Sequence, residues 1–380
     1  MQKTKILLIH LIANGDCLMA TTIARQIKQD YPDCHLTWAI SYKCRQVLEN
    51  NPFVDDIWEI HYGKEDSPVG NIWHKVKKEA YEKKLAGIFD LIFETQVYPD
   101  NIHNFDGTTR SSTFRNYPNP ITVPVQPILN PTIEEEKRVA CFVEKHELQK
   151  WKFKILLECA PNSGQSKLSL EKGIQLANKI VTMREDTIVI ISSHLKFDPP
   201  HERILDGSIL SFRENVPLSH YCNFFVGASS GINWLLTSNN AKLLPMVIFL
   251  NRHAFASSFA SVEYDFEYFK LPRHDIIESC LENNDDMAQV VLAALENFAA
   301  ARAEYHQKLK PNFWDFLCFV DYHSIKGPLK IGHTFRCFKS RNNFTWRDAL
   351  HISPIFRIIF ITLKMIFSFV GRKIGNRVKD

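Results

Sequence analysis

Asp16 is the residue of this sequence whose neighbours best equip it for chemistry. An aliphatic run, Ile6-Leu7-Leu8-Ile9, leads through Asn14-Gly15-Asp16 into a segment of helical periodicity from about Cys17. An extended segment that breaks at a glycine and restarts as a helix is how an α/β sheet builds a site at the carboxyl end of a strand. The Asp16 carboxylate then stands at the mouth of a crevice, beside free backbone N–H groups of the helix start at Asn14 and Gly15. Two uses fit it: a base beside an anionic ligand, or a carboxylate that only offsets the positive end of the helix. A second cluster, Gly227-Ala228-Ser229-Ser230-Gly231, follows a short apolar strand and opens another helix. Its N–H groups suit a phosphate and its small residues admit a close ligand, unless they serve only a tight turn.

Other chemistries lack their residues. The histidines do not cluster: His194 and His201 flank Pro199-Pro200, and His220 lies beside a predicted helix. No HExxH or Walker-type stretch occurs, so the common metalloprotease and NTPase readings fall away and no metal site is expected. The nine cysteines are scattered without a CxxC pair, which reads as reduced thiols in a cytosolic setting. No secretory signal is read at the start, where Met1–Lys5 leads into only a short apolar stretch.

The elements that position these residues alternate strand and helix. Strands are expected at Ile6–Ile12, Leu36–Ile40, Asp56–Ile60 and Ile88–Glu94, with helices from about Cys17 to Asp30 and over Ile72–Leu85. Gln96–Pro131 breaks the pattern as a long polar, proline-punctuated loop, read as a cleft overhang and a linker. A charged helix over Thr132–Leu148 follows. A second series has strands at Lys154–Cys159, Thr187–Ser192, Ile209–Phe212, Phe224–Val226 and Pro245–Leu250. Its helices are expected at Ser169–Met183, about Gly231–Ser238 and, as one long amphipathic element, Met287–Lys308. This alternation implies parallel βαβ units, hence an α/β chain of two Rossmann-like domains facing a central cleft. The expected boundaries are 1–130, 131–310 and a C-terminal extension, 311–380.

That extension carries 12 Lys and Arg against 4 Asp, while the remaining 310 residues hold 34 against 38 Asp and Glu. A basic end on an otherwise slightly acidic body argues against a nucleic-acid groove and for an anionic surface meeting one end. Within Ile352–Val370 the polar residues Arg357, Lys364 and Ser368 fall on one helical stripe, flanked by Arg372, Lys373, Arg377 and Lys379. This suits a helix lying in an anionic membrane interface; a helix packed on the protein itself is the other reading.

The stretch Lys5–Ile9 through Gly15-Asp16 to Ala20-Thr21-Thr22 resembles the opening of glycosyltransferase family 9, the heptosyltransferase family. So do Tyr31–Trp38, Asn51–Asp55, Ala160-Pro161-Asn162-Ser163 with Lys167, and Phe225–Gly231, a resemblance spanning roughly residues 4–300. It implies a GT-B fold, with the acceptor on the N-terminal domain and the nucleotide-sugar on the C-terminal one. It further implies an inverting, metal-independent transfer of a heptose-like sugar, typically from an ADP-sugar, onto lipopolysaccharide or another lipid-linked glycan. The family's aspartate matches Asp16, implying the general base. Its loop lysine matches Lys167, implying a diphosphate contact aided by Ser163, although loop lysines are usually just solvated. Glu202 matches a ribose partner by position.

Arg110 and Arg115, in the long loop, could meet an anionic acceptor or be plain surface arginines. The chain departs from the family where an aspartate, Ser/Thr, glycine and, three residues on, a histidine are usual: it has Ser229, Ser230, Gly231 and Trp234. The expectation is thus a glycosyltransferase on the inner face of a bacterial inner membrane, with nucleotide-sugar, glycan lipid and anionic lipid as partners. A nucleotide-sugar epimerase on the same scaffold and a non-catalytic glycan-binding member are the rival readings.

Overall fold

Strands β1 (Lys5–Ile9), β2 (His35–Ser41), β3 (Asp56–Ile60) and β4 (Leu91–Glu94) pair in parallel in the order β3-β2-β1-β4. Helices α1 (Asn14–Asp30) and α2 (Asn71–Leu85) provide crossovers. Both faces of a parallel sheet are covered, so its central strand reads as a continuous apolar run; Ile6, Leu7, Leu8 and Ile9 are all fully buried. The computed structural model describes residues 3–161, 164–252, 261–272, 274–324 and 330–342. After this sheet come α3 (Thr109–Arg115) and α4 (Ile133–Lys145). Thr132 and Glu135 form a reciprocal capping box that fixes where α4 starts.

The second sheet contains β5 (Phe153–Glu158), β6 (Thr187–Ser192), β7 (Ile204–Asp206), β8 (Phe224–Gly227), β9 (Met246–Phe249) and β10 (Ile276–Ser279). They too are parallel, in the order β10-β9-β8-β5-β6-β7. Its helices are α5 (Leu170–Met183), α6 (Asn215–Ser219), α7 (Gly231–Leu235), α8 (Val262–Phe269), α9 (Asn284–Glu296) and α10 (Phe298–Tyr305). One apolar cluster runs unbroken from Ile6 and Leu8 through Ile23 of α1 to Leu156, Phe225 and Ile248 of the second sheet. The two halves therefore share a core.

Several expected boundaries move for local reasons. Helix α1 starts at Asn14, three residues before Cys17, so Asp16 lies inside its first turn. The strand expected at Ile209–Phe212 is a turn, and the edge strand is Ile204–Asp206. Asp206 accepts from the Ser208 N–H, and a Cβ on Gly207 would meet the Ile191 carbonyl oxygen at 2.8 Å, so the glycine lets the chain turn there. The single helix expected over Met287–Lys308 is broken at Asn297, whose side chain accepts from the Ala300 N–H and starts α10. The loop Gln96–Pro131 contains the short helix α3, and β10 and α8 were not anticipated.

The described part of the extension is α11 (Phe313–Ser324) and α12 (Ile331–Asn342). They return to the first half, where Phe319 stacks on Phe105 at 3.7 Å and Phe316 and Phe338 close a small aromatic core. Ile352–Val370 and the cationic tail lie outside the described residues. Among the described residues no helix is long and apolar enough to cross a membrane.

Arg213 fastens the halves together. It is 2% exposed, donates to both carboxylate oxygens of Glu135 at 2.7 and 3.1 Å, and reaches the carbonyls of Gln46, Glu49 and Asn130. Burial pushes the Glu135 carboxyl up, but these hydrogen bonds and the Thr132 N–H more than reverse that and hold it below its usual range. Arg213→Ala leaves a buried, uncompensated carboxylate and is expected to cost about 3–5 kcal/mol. A fall in the urea midpoint measures it, and a loss under 1 kcal/mol would contradict the bridging role.

Candidate active site

Where the carboxyl ends of the two sheets approach one another lies a cleft of about 600 Å³. From the first half Ala13, Asn14 and Gly15 line it; Ala13 is the extended N-cap of α1 and supplies no side-chain cap, so first-turn N–H groups are left without one. Asp16 follows, half-buried, and is not itself among the lining residues. Burial raises its carboxyl above the ordinary aspartate value, and the nearby Arg110 guanidinium partly offsets this. Among the described residues no group hydrogen-bonds to it. A half-buried carboxylate of raised basicity suits proton abstraction from a hydroxyl.

The two halves touch through glycines. A Cβ on Gly15 would lie 3.2 Å from the Gly231 Cα, and one on Gly231 would lie 3.6 Å from the Gly15 nitrogen. These glycines, expected as ligand contacts, line the cleft and also set its width. Ser230, N-cap of α7, accepts from the Ile232 N–H and donates to Glu158 Oε1. Ser229 is fully buried; its carbonyl accepts from Arg110 Nη2 at 3.4 Å, and it does not line the cleft.

The structure draws the other expected residues elsewhere. Arg110 is 7% exposed, paired with Asp265 at 3.3 Å and seated 4.7 Å above the Trp234 ring. Arg115 pairs with buried Asp106 at 3.0 Å. Asp106 also receives Arg341 of α12, whose other amino group reaches Asp265 at 3.2 Å. Both loop arginines are thus held in internal ion pairs. Trp234, standing where the resemblance would put a histidine, is the fully buried platform beneath Arg110. Lys167 is half-exposed, pairs with Glu282 and does not line the cleft. Glu202 is exposed just ahead of β7, also away from it. Ser163 lies outside the described residues.

Glu158, at the carboxyl end of β5, was missed. It lines the cleft, is 6% exposed and accepts from Ser230 and from the Ala228 N–H, while its Oε2 has no partner. Burial lifts its carboxyl to about 7, against the pull of those hydrogen bonds. A charged residue ending the apolar run Ile155-Leu156-Leu157 was the available signal. Among the described residues no group of three or more His, Cys, Asp and Glu is placed to hold a metal ion.

No protein-family model and no curated protein sequence matches the chain. Solved structures do. A glycosyl transferase family 9 protein from Veillonella parvula is 13% identical, with 80% of this chain and 95% of that one covered and a TM-score of 0.50. E. coli heptosyltransferase WaaC, solved with ADP, is 11% identical over 78% of this chain and 100% of its own, TM-score 0.41. A putative UDP-N-acetylglucosamine 2-epimerase from Listeria monocytogenes is 12% identical over 86% and 97%, TM-score 0.48. With two parallel sheets facing one cleft, the likeness to the Veillonella protein establishes a GT-B type of fold.

The glycine contact makes a direct prediction. Gly15→Ala forces the facing backbones apart by a few tenths of an ångström and is expected to destabilise the protein by about 1–3 kcal/mol. Gly63→Ala, whose Cβ would meet only the Asp66 carboxylate at 3.6 Å, is the control expected to change little. Equal midpoints for the two variants in thermal unfolding would show that the contact is loose.

Proposed function

We propose that this chain is an inverting, metal-independent glycosyltransferase. It moves a heptose-like sugar from a nucleotide-sugar, of the ADP-heptose kind, to lipopolysaccharide or another lipid-linked surface glycan. The observation that carries the reading is a carboxylate, Asp16, without a hydrogen-bonding partner among the described residues, in the first turn of the helix after β1, beside a cleft shared by two parallel sheets. The opening motif and its resemblance to family 9 support the same role.

In this mechanism the acceptor hydroxyl approaches from the first half. Asp16 takes its proton as the oxygen attacks the anomeric carbon, and the sugar–phosphate bond breaks on the opposite side. Departing diphosphate charge is met by dipoles and hydroxyls lining the cleft, among them Ser192, Ser193, Ser208 and Ser211 of the second half. The basic extension holds the enzyme at the inner membrane surface, where its acceptor lies and where confinement raises its effective concentration.

Asp16→Asn is expected to slow transfer by about 10²–10⁴-fold, the usual weight of a general base. A thermal-shift screen against ADP-glucose, UDP-glucose, GDP-mannose and dTDP-glucose should give the same stabilisation before and after the change. The base must be ionised, so wild-type turnover falls as pH drops through the raised Asp16 value. Loss of donor binding together with turnover would instead make Asp16 structural. Conversion of the nucleotide-sugar without any acceptor would identify an epimerase.

A further inference from the structure

Glu158 is a buried carboxyl for which the transfer scheme has no use. Its Oε1 accepts from the Ser230 hydroxyl and the carboxyl also accepts from the Ala228 N–H, while among the described residues Oε2 has no geometric hydrogen-bond partner. As a neutral acid it would use Oε1 as the carbonyl oxygen and be left with one O–H lacking an acceptor. As a carboxylate it would be a buried charge with no cation beside it, because no described lining residue of the cleft is a lysine or arginine. Burying a charge without a partner is costly, and a buried donor without an acceptor is an incomplete hydrogen bond. Both defects disappear if a ligand brings an anionic oxygen to Oε2–H.

We propose that Glu158 is a ligand-binding residue that, as a neutral acid, donates a hydrogen bond to a phosphate oxygen of the nucleotide-sugar. The proposal rests on the nucleotide-sugar reading of the cleft. It gives the cleft a phosphate contact that needs no lysine, where Lys167 is committed to Glu282 and Arg110 to Asp265. The pull of burial on its carboxyl, to about 7, places the change of charge near neutrality. Other titratable groups share the cleft or border it. Cys159 is pushed up to about 12 by burial and by Glu158 itself, and so stays a thiol. His194 lines the cleft from the loop after β6, and Asp16 with Arg110 stands behind Gly15. Ser192, Ser193 and Ser230 carry no charge.

The consequence is binding that takes up a proton above neutrality. The test is titration calorimetry of the full chain with the four nucleotide-sugars named above, whose phosphate diesters do not themselves ionise in this range. Between pH 6 and 9 affinity should fall, approaching about tenfold per pH unit once Glu158 is ionised. Binding enthalpies at pH 8 in two buffers of different ionisation heat should differ by the uptake of up to one proton. Glu158→Gln, which keeps a neutral donor at the same position, should bind without the alkaline fall and without proton uptake, whereas His194→Gln should behave as wild type.

If Glu158→Gln abolishes binding, the residue works as an ionised acceptor of a ligand hydroxyl and the proposal is overturned. It is equally overturned if the pH dependence survives in Glu158→Gln and vanishes in His194→Gln. Binding that is insensitive to pH defeats the Glu158 role but leaves the nucleotide-sugar reading standing. No binding at any pH from folded protein defeats both.

Discussion

Two glycines hold the candidate site together. Gly15 and Gly231 each lie in the first turn of a helix on opposite halves, and their backbones meet with no side chain between them. A Cβ on Gly15 would crowd the Gly231 Cα at 3.2 Å, so an approach this close favours glycine there. From this point the rest of the site is fixed by short covalent steps: Asp16 is one residue beyond Gly15, and Ser230 is one residue before Gly231. Ser230 in turn binds Glu158 at the end of β5. The contact can be held because α1 is buried from Cys17 to Ala24 without interruption and its apolar cluster continues into the second sheet. A shared core and Arg213 behind it resist a widening of the cleft at its floor.

Buried charge where α3, α8 and α12 meet has a different task. Arg110, Arg115 and Arg341 meet Asp106 and Asp265, joining the long loop of the first half, α8 of the second and α12 of the extension. Each of these carboxylates is fully buried and answered by more than one partner, the condition under which a buried ion pair is tolerable. Trp234 belongs to this arrangement. An indole face beneath Arg110 attracts the guanidinium as an imidazolium would not. Through Trp234 an arginine of the first half rests on a residue of the second. That arginine also pulls the Asp16 carboxyl down against the push of burial, so the ion pairs reach the candidate site through its electrostatics.

The parts of this structure that read plainly from the sequence are those governed by local periodicity. Asp56–Ile60 is a strand with the expected ends, and α2 and α5 differ from expectation by one residue, because apolar repeats and capping residues act within a few positions. Ile209–Phe212 looked like a strand because it is partly apolar, yet its place in the sheet was taken by Ile204–Asp206 through pairing with β6, a long-range choice. The Met287–Lys308 pattern carried through Asn297 because a single capping side chain does not disturb an amphipathic repeat. Among the candidate residues, Asp16 and the glycines stand at helix starts, a placement that turn chemistry marks in the sequence. Lys167, Arg110 and Arg115 were legible only as charges. Their partners Glu282, Asp265 and Asp106 stand 115, 155 and 9 residues away, and for the first two no local rule could supply the pairing.

The two carboxyl groups of the site gain their difference from these distant neighbours. Asp16 and Glu158 are both raised by loss of water, but only Asp16 has a guanidinium close enough to pull it back. A guanidinium acts on one carboxyl and none on the other, although burial raises both. Had the long loop sent Arg110 outward to meet a glycan, as its sequence position suggested, Asp16 would have lost the charge that offsets its burial. The internal pairing of Arg110 with Asp265 is therefore not a loss to the site. It keeps the guanidinium where it offsets the burial of Asp16, while no described residue lining the cleft is a lysine or arginine.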